Sequence, residues 1–387
     1  MKFILSILFL FLFTITGYAE ESQPTTAEEE IQQINQQLNQ SPGSSSVPAK
    51  KYFGPFSYPA TNQGLAKIIP DISVIGSLAT AYFKEEPAGE TGHEPARTGF
   101  TLQEIEIALQ SVIDPYFRAD VFLSVSEEGF ELEEGYATTL SLPKGLQIKA
   151  GKFLLPFGRQ NSKHLEQWDF VNAPLVSKYL WGPEGLNELG AEIAYTFPTP
   201  FFLQLQGTFS NGVNEESFDG KQKKDFLYQG RLSTSFDFNE KWTLLLGASG
   251  AWGFNDELPG AFTQIYGGDL LIRYRPSSYR ALTLQAEYLF RDKELASGKA
   301  QDGGGYLFAN YQFAKRWHAG LRYDQVGWPA GLITREFRVS PDITFNPTEF
   351  SRLRLQYDFS KVPGHEANHA AILQLQYTMG PHGAHPF

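Results

Sequence analysis

From Asp71 onward the chain repeats one pattern, segments of about ten residues in which apolar and polar side chains alternate, separated by turns. A period of two places successive side chains on opposite faces of an extended strand. In residues 71–83, Ile72, Val74, Leu78 and Tyr82 share a face. In 100–113, Ile105, Ile107 and Leu109 oppose Glu104, Glu106 and Gln110, and in 116–126 Phe117, Val121, Leu123 and Val125 oppose Arg118, Asp120 and Ser124. The pattern recurs at 130–142, 145–154, 187–197, 201–210, 226–238, 241–254, 262–275, 279–291, 304–314, 316–327, 334–345, 349–360 and 370–379. That makes about sixteen strands, each near the length a tilted strand needs to cross a bilayer.

The connections are sorted by parity. Every second one is short: Asp114-Pro115, Pro143-Lys144-Gly145, Pro198-Thr199-Pro200, Asn239-Glu240, Pro276-Ser277-Ser278, Ala314-Lys315-Arg316 and Asn346-Pro347. Most of the others are longer, including 84–99, 155–186, 211–225, 292–303 and 361–369. A soluble sandwich or propeller has no reason to sort its loops this way, whereas a membrane barrel turns tightly on its periplasmic side. The expected fold is all-β, a transmembrane antiparallel β-barrel of about sixteen strands with short periplasmic turns and longer extracellular loops, occupying residues 51–387.

The N-terminus agrees with export. Met1-Lys2, the apolar run FILSILFLFLFTIT and Gly17-Tyr18-Ala19 read as a signal peptide over residues 1–19. No later segment reaches the roughly 18 apolar residues of a spanning helix, so an exported chain of this kind enters a membrane only as a barrel. The expected location is the bacterial outer membrane. Residues 20–50 are polar. Ile31, Ile34 and Leu38 lie at heptad-like spacing, which reads either as a short coiled-coil tip between subunits or as a tail, before the linker SPGSSSVPAKK. Aromatics at 14%, with 32 Phe, 18 Tyr and 36 Gly, suit many strands and tight turns. A formal charge of -11 argues against a nucleic-acid partner, and the absence of Cys excludes disulfides and thiolate metal sites.

One stretch breaks the alternation. Leu155 to Asn187, LPFGRQNSKHLEQWDFVNAPLVSKYLWGPEGLN, is long, aromatic and charged between two good strand patterns. A connection of this length in a compact protein is usually functional. It is expected to be the third outward loop, folded into the lumen over 155–186, with Arg159, Lys163, His164, Glu166 and Asp169 forming the constriction. Assigning the more apolar parity to lipid turns Arg231, Arg273, Arg322, Arg338, Arg352 and Arg354 into the lumen wall, with Arg322, Arg352 and Arg354 facing the loop. Glu104, Glu106, Glu131 and Glu133 also turn inward, and Lys149 is the clearest inward lysine. Fixed charges of this kind set selectivity in narrow pores.

No catalytic constellation emerges. His365-Glu366-Ala367-Asn368-His369 has the spacing of a zinc-hydrolase helix, but Pro363-Gly364 precede it and a strand follows. Gly247-Ala248-Ser249-Gly250 lacks the last glycine of a nucleophile elbow, and no Gly-Lys-Ser/Thr follows Gly303-Gly304-Gly305. The chain is read as a non-enzyme, with no metal and no cofactor expected.

The segment GKFLLPFGRQN, from Gly151 to Asn161, resembles the way the fifth strand of the phosphate-selective porin O and P family runs into its constricting loop. The resemblance extends over the whole mature chain and includes a terminal aromatic, Phe387. It implies a sixteen-stranded outer-membrane porin assembled as a homotrimer, with outer-membrane lipid and small hydrophilic solutes or ions as partners. The function it implies is passive diffusion of small hydrophilic or charged solutes through a water-filled lumen narrowed by loop 155–186. The alternatives are a substrate-specific uptake barrel for metal or anionic solutes, and a closed structural or adhesive barrel.

Overall fold

In a computed structural model the described residues are 70–87, 92–127, 129–214, 216–220, 225–255 and 257–380. The expected signal peptide, the polar segment 20–50 and Phe387 lie outside them. The strands are β1 (Asp71–Phe83), β2 (Gly99–Val112), β3 (Phe117–Ser126), β4 (Gly129–Thr139), β5 (Leu146–Leu154), β6 (Asn187–Thr196), β7 (Phe202–Ser210), β8 (Val213–Asn214) and β9 (Phe218–Asp219). They continue with β10 (Leu227–Asn239), β11 (Trp242–Phe254), β12 (Phe262–Ser277), β13 (Arg280–Leu295), β14 (Gly298–Ala314), β15 (Trp317–Val326), β16 (Glu336–Thr348), β17 (Ser351–Lys361) and β18 (Asn368–Met379). One short helix, α1 (Leu175–Trp181), lies in the long loop.

Sixteen of these strands close into an antiparallel barrel, with β1 pairing β18 across the seam. The two-residue strands β8 and β9 pair with each other outside that order. Closure leaves the barrel no free edge, so each of its sixteen strands has a partner on both sides. The alternation decides which side chains meet which medium. Leu321, Leu355 and Leu375 are exposed on the outer wall, whereas Gln356 and Gln374, one residue away, are buried within the barrel.

Two aromatic belts flank the outer apolar band. Near the turns, Trp242 stacks on Tyr274 at 4.3 Å and Trp317 meets Phe345 at 4.5 Å. Near the loops, Phe209 meets Tyr228 at 5.4 Å and Trp252 meets Tyr266 at 5.9 Å. Trp242 and Trp252 share β11 and its outer face. The ten steps between them, at about 3.3 Å each and a tilt near 40°, span about 25 Å, the height of the apolar band of an outer-membrane barrel.

The structure corrects one expectation about the loops. Residues 292–303 are not a loop, because β13 runs to Leu295 and β14 begins at Gly298. Arg291 pairs with Asp302 inside this extended hairpin, while Asp292–Gln301 and Glu294–Lys299 lie across it at 3.2 Å. The hairpin is polar on both faces, its Arg291 and Asp302 buried as a pair, so no apolar face marks it in sequence. The connection β3–β4 is short, as its strand patterns imply, and register shifts interrupt several pairings, two of them near the long loop. Gln103 is the extra residue opposite Ser77 and Leu78, and Glu133 the extra residue opposite Phe122 and Leu123.

Candidate functional site

Side chains from much of the barrel wall hold the backbone of the long loop. Its base is closed by Asn161. The Asn161 amide donates to the carbonyls of Leu155 and Leu186 at 2.9 and 3.1 Å, and its oxygen accepts from the Leu186 N–H at 2.7 Å. Beyond the base the chain turns at Gly158, whose φ of 63° favours glycine. Three consecutive amides then face the wall: Gly158 donates to Ser249 Oγ at 3.1 Å, and Arg159 and Gln160 both donate to Glu287 Oε2 at 3.3 Å. Successive N–H groups of this kind form a nest for an anion, here a carboxylate of the barrel itself.

The middle of the loop meets the opposite sector, β2 to β4. His164 is buried, with Nε2 3.1 Å from Glu134 Oε2 and Nδ1 3.1 and 3.3 Å from Glu106 Oε2 and Glu133 Oε2. Phe122 covers the ring at 4.7 Å. Burial disfavours the imidazolium, yet Glu133, Glu106 and Glu134 outweigh it and hold the ring's pKa well above the ordinary value. Burial and then the neighbouring Glu106 push the Glu166 carboxyl up to about 8. His93, in the first loop, lies 3.3 Å from Glu104, and its carboxylate neighbours raise it to about 10 against the effect of burial.

The rest of the loop is gripped by β15 to β17. Arg352 and Arg354 donate to the carbonyls of Glu166 and Trp168 at 2.8 and 2.9 Å. Arg322 donates to Asn172 O and Oδ1 at 2.7 and 2.6 Å, and its guanidinium lies over the Phe170 ring at 4.6 Å. Arg338 donates to Ala173 O at 2.5 Å, and Gln356 Oε1 accepts from the Val171 N–H at 2.7 Å. Helix α1 then buries Leu175, Val176, Leu180 and Trp181 in an apolar cluster with Phe157, Ile265, Leu289 and Val326.

Residues 116–348 match the model of the beta-barrel porin-2, OmpL-like family. The chain belongs to this family. An uncharacterised protein of Aquifex aeolicus (strain VF5) is 36% identical over 345 residues, covering 77% of this chain and 73% of that one. Among solved structures, the anion-selective porin from Comamonas acidovorans superposes with a TM-score of 0.56 at 13% identity, over 80% of this chain and 98% of that one. The outer-membrane channel DcaP of Acinetobacter baumannii gives 0.54 at 9% identity, over 80% and 96%. OprB of Pseudomonas putida gives 0.52 at 12% identity, over 80% and 94%. At these identities the likeness is one of fold. The family shown is OmpL-like; likeness to the phosphate-selective porins O and P rests on Gly151–Asn161 and the general architecture.

In this OmpL-like porin the expected constriction residues do not gather at one point. Arg159 lies beside Glu287 on the β13 side, His164 and Glu166 beside Glu106, and Lys163 pairs with Asp169 at 3.0 Å within the loop. Three of the six wall arginines are ion-paired in place. Arg231 pairs with Asp269 at 2.7 Å, and Arg322 and Arg338 share Asp324 at 2.8 and 3.2 Å. Arg273 is half-buried on the same inner face of β12 as Asp269. Glu104, Glu106 and Glu133 are buried, but Glu131 is half-exposed and pairs with Lys152 at 3.2 Å, apart from them. Glu134 escapes the alternation rule because the bulge at Glu133 lets both neighbours reach His164. The adjacent acids of Glu133-Glu134-Gly135 are the signal that a strict period of two passes over. The His365–His369 segment forms a turn and the start of β18, with Glu366 bound to Lys84 at 2.7 Å.

Proposed function

We propose that this chain is an outer-membrane porin, a passive diffusion channel for small hydrophilic solutes or ions, with the loop 155–186 setting the size and charge of the lumen. Trimeric assembly and a location in the bacterial outer membrane belong to the same reading, and the porins of like fold support both. The observation that carries it is the loop itself, drawn into a closed barrel and held on three sectors of its wall. Diffusion through such a lumen needs no bond chemistry, and the reading includes no enzymatic step. The aromatic belts supply the bilayer contact.

Single-channel recording in planar bilayers tests this. Purified barrel is expected to give discrete current steps, and Asn161→Ala, which opens the base of the loop, is expected to enlarge them. Folded barrel that inserts and carries no current favours the second reading, a closed barrel. That reading has its own support in the apolar cluster of Phe157, Leu180, Trp181, Ile265, Leu289 and Val326 within the lumen. Chloride-dependent current that a bound anion blocks would narrow the solute class.

A further inference from the structure

The inner wall carries a group of side chains whose convergence solute diffusion alone does not explain. We infer that His164, Glu106 and Glu133 form a binding site for a divalent transition-metal ion of the zinc class, which clamps the inward loop onto the barrel wall. Three atoms converge there: His164 Nδ1, Glu106 Oε2 and Glu133 Oε2, all within 4.8 Å of one another. None of the three makes a well-directed hydrogen bond among the described residues, their contacts being the ion-pair approaches of Nδ1 to the two oxygens, and all three residues are more than nine-tenths buried. Buried polar atoms are ordinarily hydrogen-bonded, so three that converge on one point without a well-directed bond call for an occupant.

The spacing suits an ion. Ligands about 2.1 Å from a tetrahedral zinc stand roughly 3.4 Å apart. Nδ1 lies 3.1 Å from one carboxylate oxygen and 3.3 Å from the other. One nitrogen and two oxygens make a donor set for zinc or manganese rather than for a soft metal. The other side of the ring is prepared as well. Nε2 faces Glu134 Oε2 at 3.1 Å, so its hydrogen is directed there and the Nδ1 lone pair is turned to the pocket. A carboxylate behind a ligating histidine fixes its orientation and raises its basicity. The bulge in β4 is what makes this possible, placing Glu133 in the pocket and Glu134 behind the ring.

Charge points the same way. Glu104, Glu106, Glu133, Glu134 and Glu166 outnumber His93 and His164 in this buried sector, while Lys152 is engaged by Glu131. Uncompensated carboxylates away from water are costly, and a dication neutralises two of them. Glu166, whose oxygen groups with those of Glu104 and Glu106, is placed to supply a further ligand. An ion here would join β2, β4 and the loop, and its binding does not depend on whether the lumen conducts.

The full-length barrel, folded in detergent and stripped with a chelator, is titrated with zinc by calorimetry, and retained metal is counted by mass spectrometry after dialysis. One zinc per chain is expected, with a rise in thermal unfolding temperature. Glu106→Gln and Glu133→Gln should each weaken binding, His164→Gln should abolish it, and Glu134→Gln should weaken it by about 10–100-fold. Glu131→Gln should leave it unchanged. Wild-type protein that retains no zinc, with a proton left as the only occupant, overturns the inference. So does undiminished affinity in folded Glu106→Gln and Glu133→Gln. Should His164→Gln not fold, the wild-type stoichiometry and the two glutamate variants still decide.

Discussion

Gly158 rests directly on the Glu287 carboxylate. Its amide and the two that follow it converge on Ser249 and Glu287, and a Cβ built at position 158 would overlap the Glu287 side chain. The loop enters the lumen by way of this contact, with Tyr306 completing the carboxylate's shell at 3.0 Å.

Gly158→Ala is therefore expected to lift the first turn of the loop off the wall. The left-handed backbone costs an L-residue about 1–2 kcal/mol and the overlap about 1–3 kcal/mol more. The barrel should survive, since its strands do not depend on this turn. Limited proteolysis should cut within 155–186 faster than in wild type, with heat-modifiable migration on gels unchanged. Equal cleavage rates would show that the glycine is not needed to seat the loop.

A parallel prediction concerns Arg322. It is fully buried, paired with Asp324, hydrogen-bonded to Asn172 and stacked on Phe170. Removing one member of a buried ion pair commonly costs about 3–5 kcal/mol, because the remaining charge is stranded. Here Arg338 still reaches Asp324, so Arg322→Ala should fall at the lower end of that range. Urea unfolding in detergent measures it. The double variant with Asp324→Asn should cost less than the two single changes added together.

The outer wall offers an architectural check. Leu321, Leu355 and Leu375 face outward between the aromatic belts, and a charge placed at any of them should cost roughly 2–4 kcal/mol near the midplane. Charge at Gln374 enters a polar neighbourhood of Gln103 and Arg354 and should be milder. Folding yields into vesicles compare the two sets. Equal sensitivity would be incompatible with the register of β15, β17 and β18.

How far the sequence discloses this molecule depends on which physical contrast each residue reports. Alternation reports the contrast between lipid and lumen, and it places Leu321, Gln356, Arg322 and Glu106 on their proper faces. It fails where that contrast vanishes, as in the hairpin Arg291–Asp302, which is polar on both faces. It fails again at a bulge, where Glu133 and Glu134 turn the same way. Ile265, Leu289 and Val326 point inward yet are apolar, because they meet the loop's own Phe157 and Trp181 rather than water. Nothing local marks them. The aromatic character of the loop was legible, but its anchors, Gln356, Asp324 and Glu287, lie more than a hundred residues further on.

Loop docking should depend on pH in two opposite senses in chelated buffer. Burial acts to raise the Asp169 carboxyl, but Lys163, Arg354 and Arg352 outweigh it and hold its pKa below the ordinary value. A depressed carboxyl stabilises the fold above its unfolded pKa, near 4, and that contribution is lost as pH falls through the folded value. Glu166 behaves conversely. With its pKa raised to about 8, its contribution is present below the unfolded value and declines as pH rises toward 8. Protease sensitivity of the loop should therefore be lowest in mildly acid solution. Lys163→Gln should weaken the acid side, and Glu166→Gln should flatten the alkaline side; a profile unaltered by both would remove these groups from docking.

The final prediction is electrical. Arg352 and Arg354 reach the loop through its carbonyls, leaving their positive charge uncancelled by direct ion pairing, and Arg352 Nε has no hydrogen-bond partner among the described residues. Glu104 and Glu106 stand on β2, three strands away through β18 and β1 in the closed order. Opposite charges about 10 Å apart in water gain only some 0.4 kcal/mol, and physiological salt screens much of that. Such a field tunes ion preference without binding tightly. Arg352→Ala with Arg354→Ala should move the reversal potential in a salt gradient toward cation preference. Because these arginines also hold the loop, conductance alone cannot separate charge from position. The Arg352→Lys and Arg354→Lys pair keeps the charge and alters the hydrogen bonds, so it should change conductance while leaving the reversal potential near wild type. A reversal potential that stays fixed in the alanine pair would place both arginines off the conducting path.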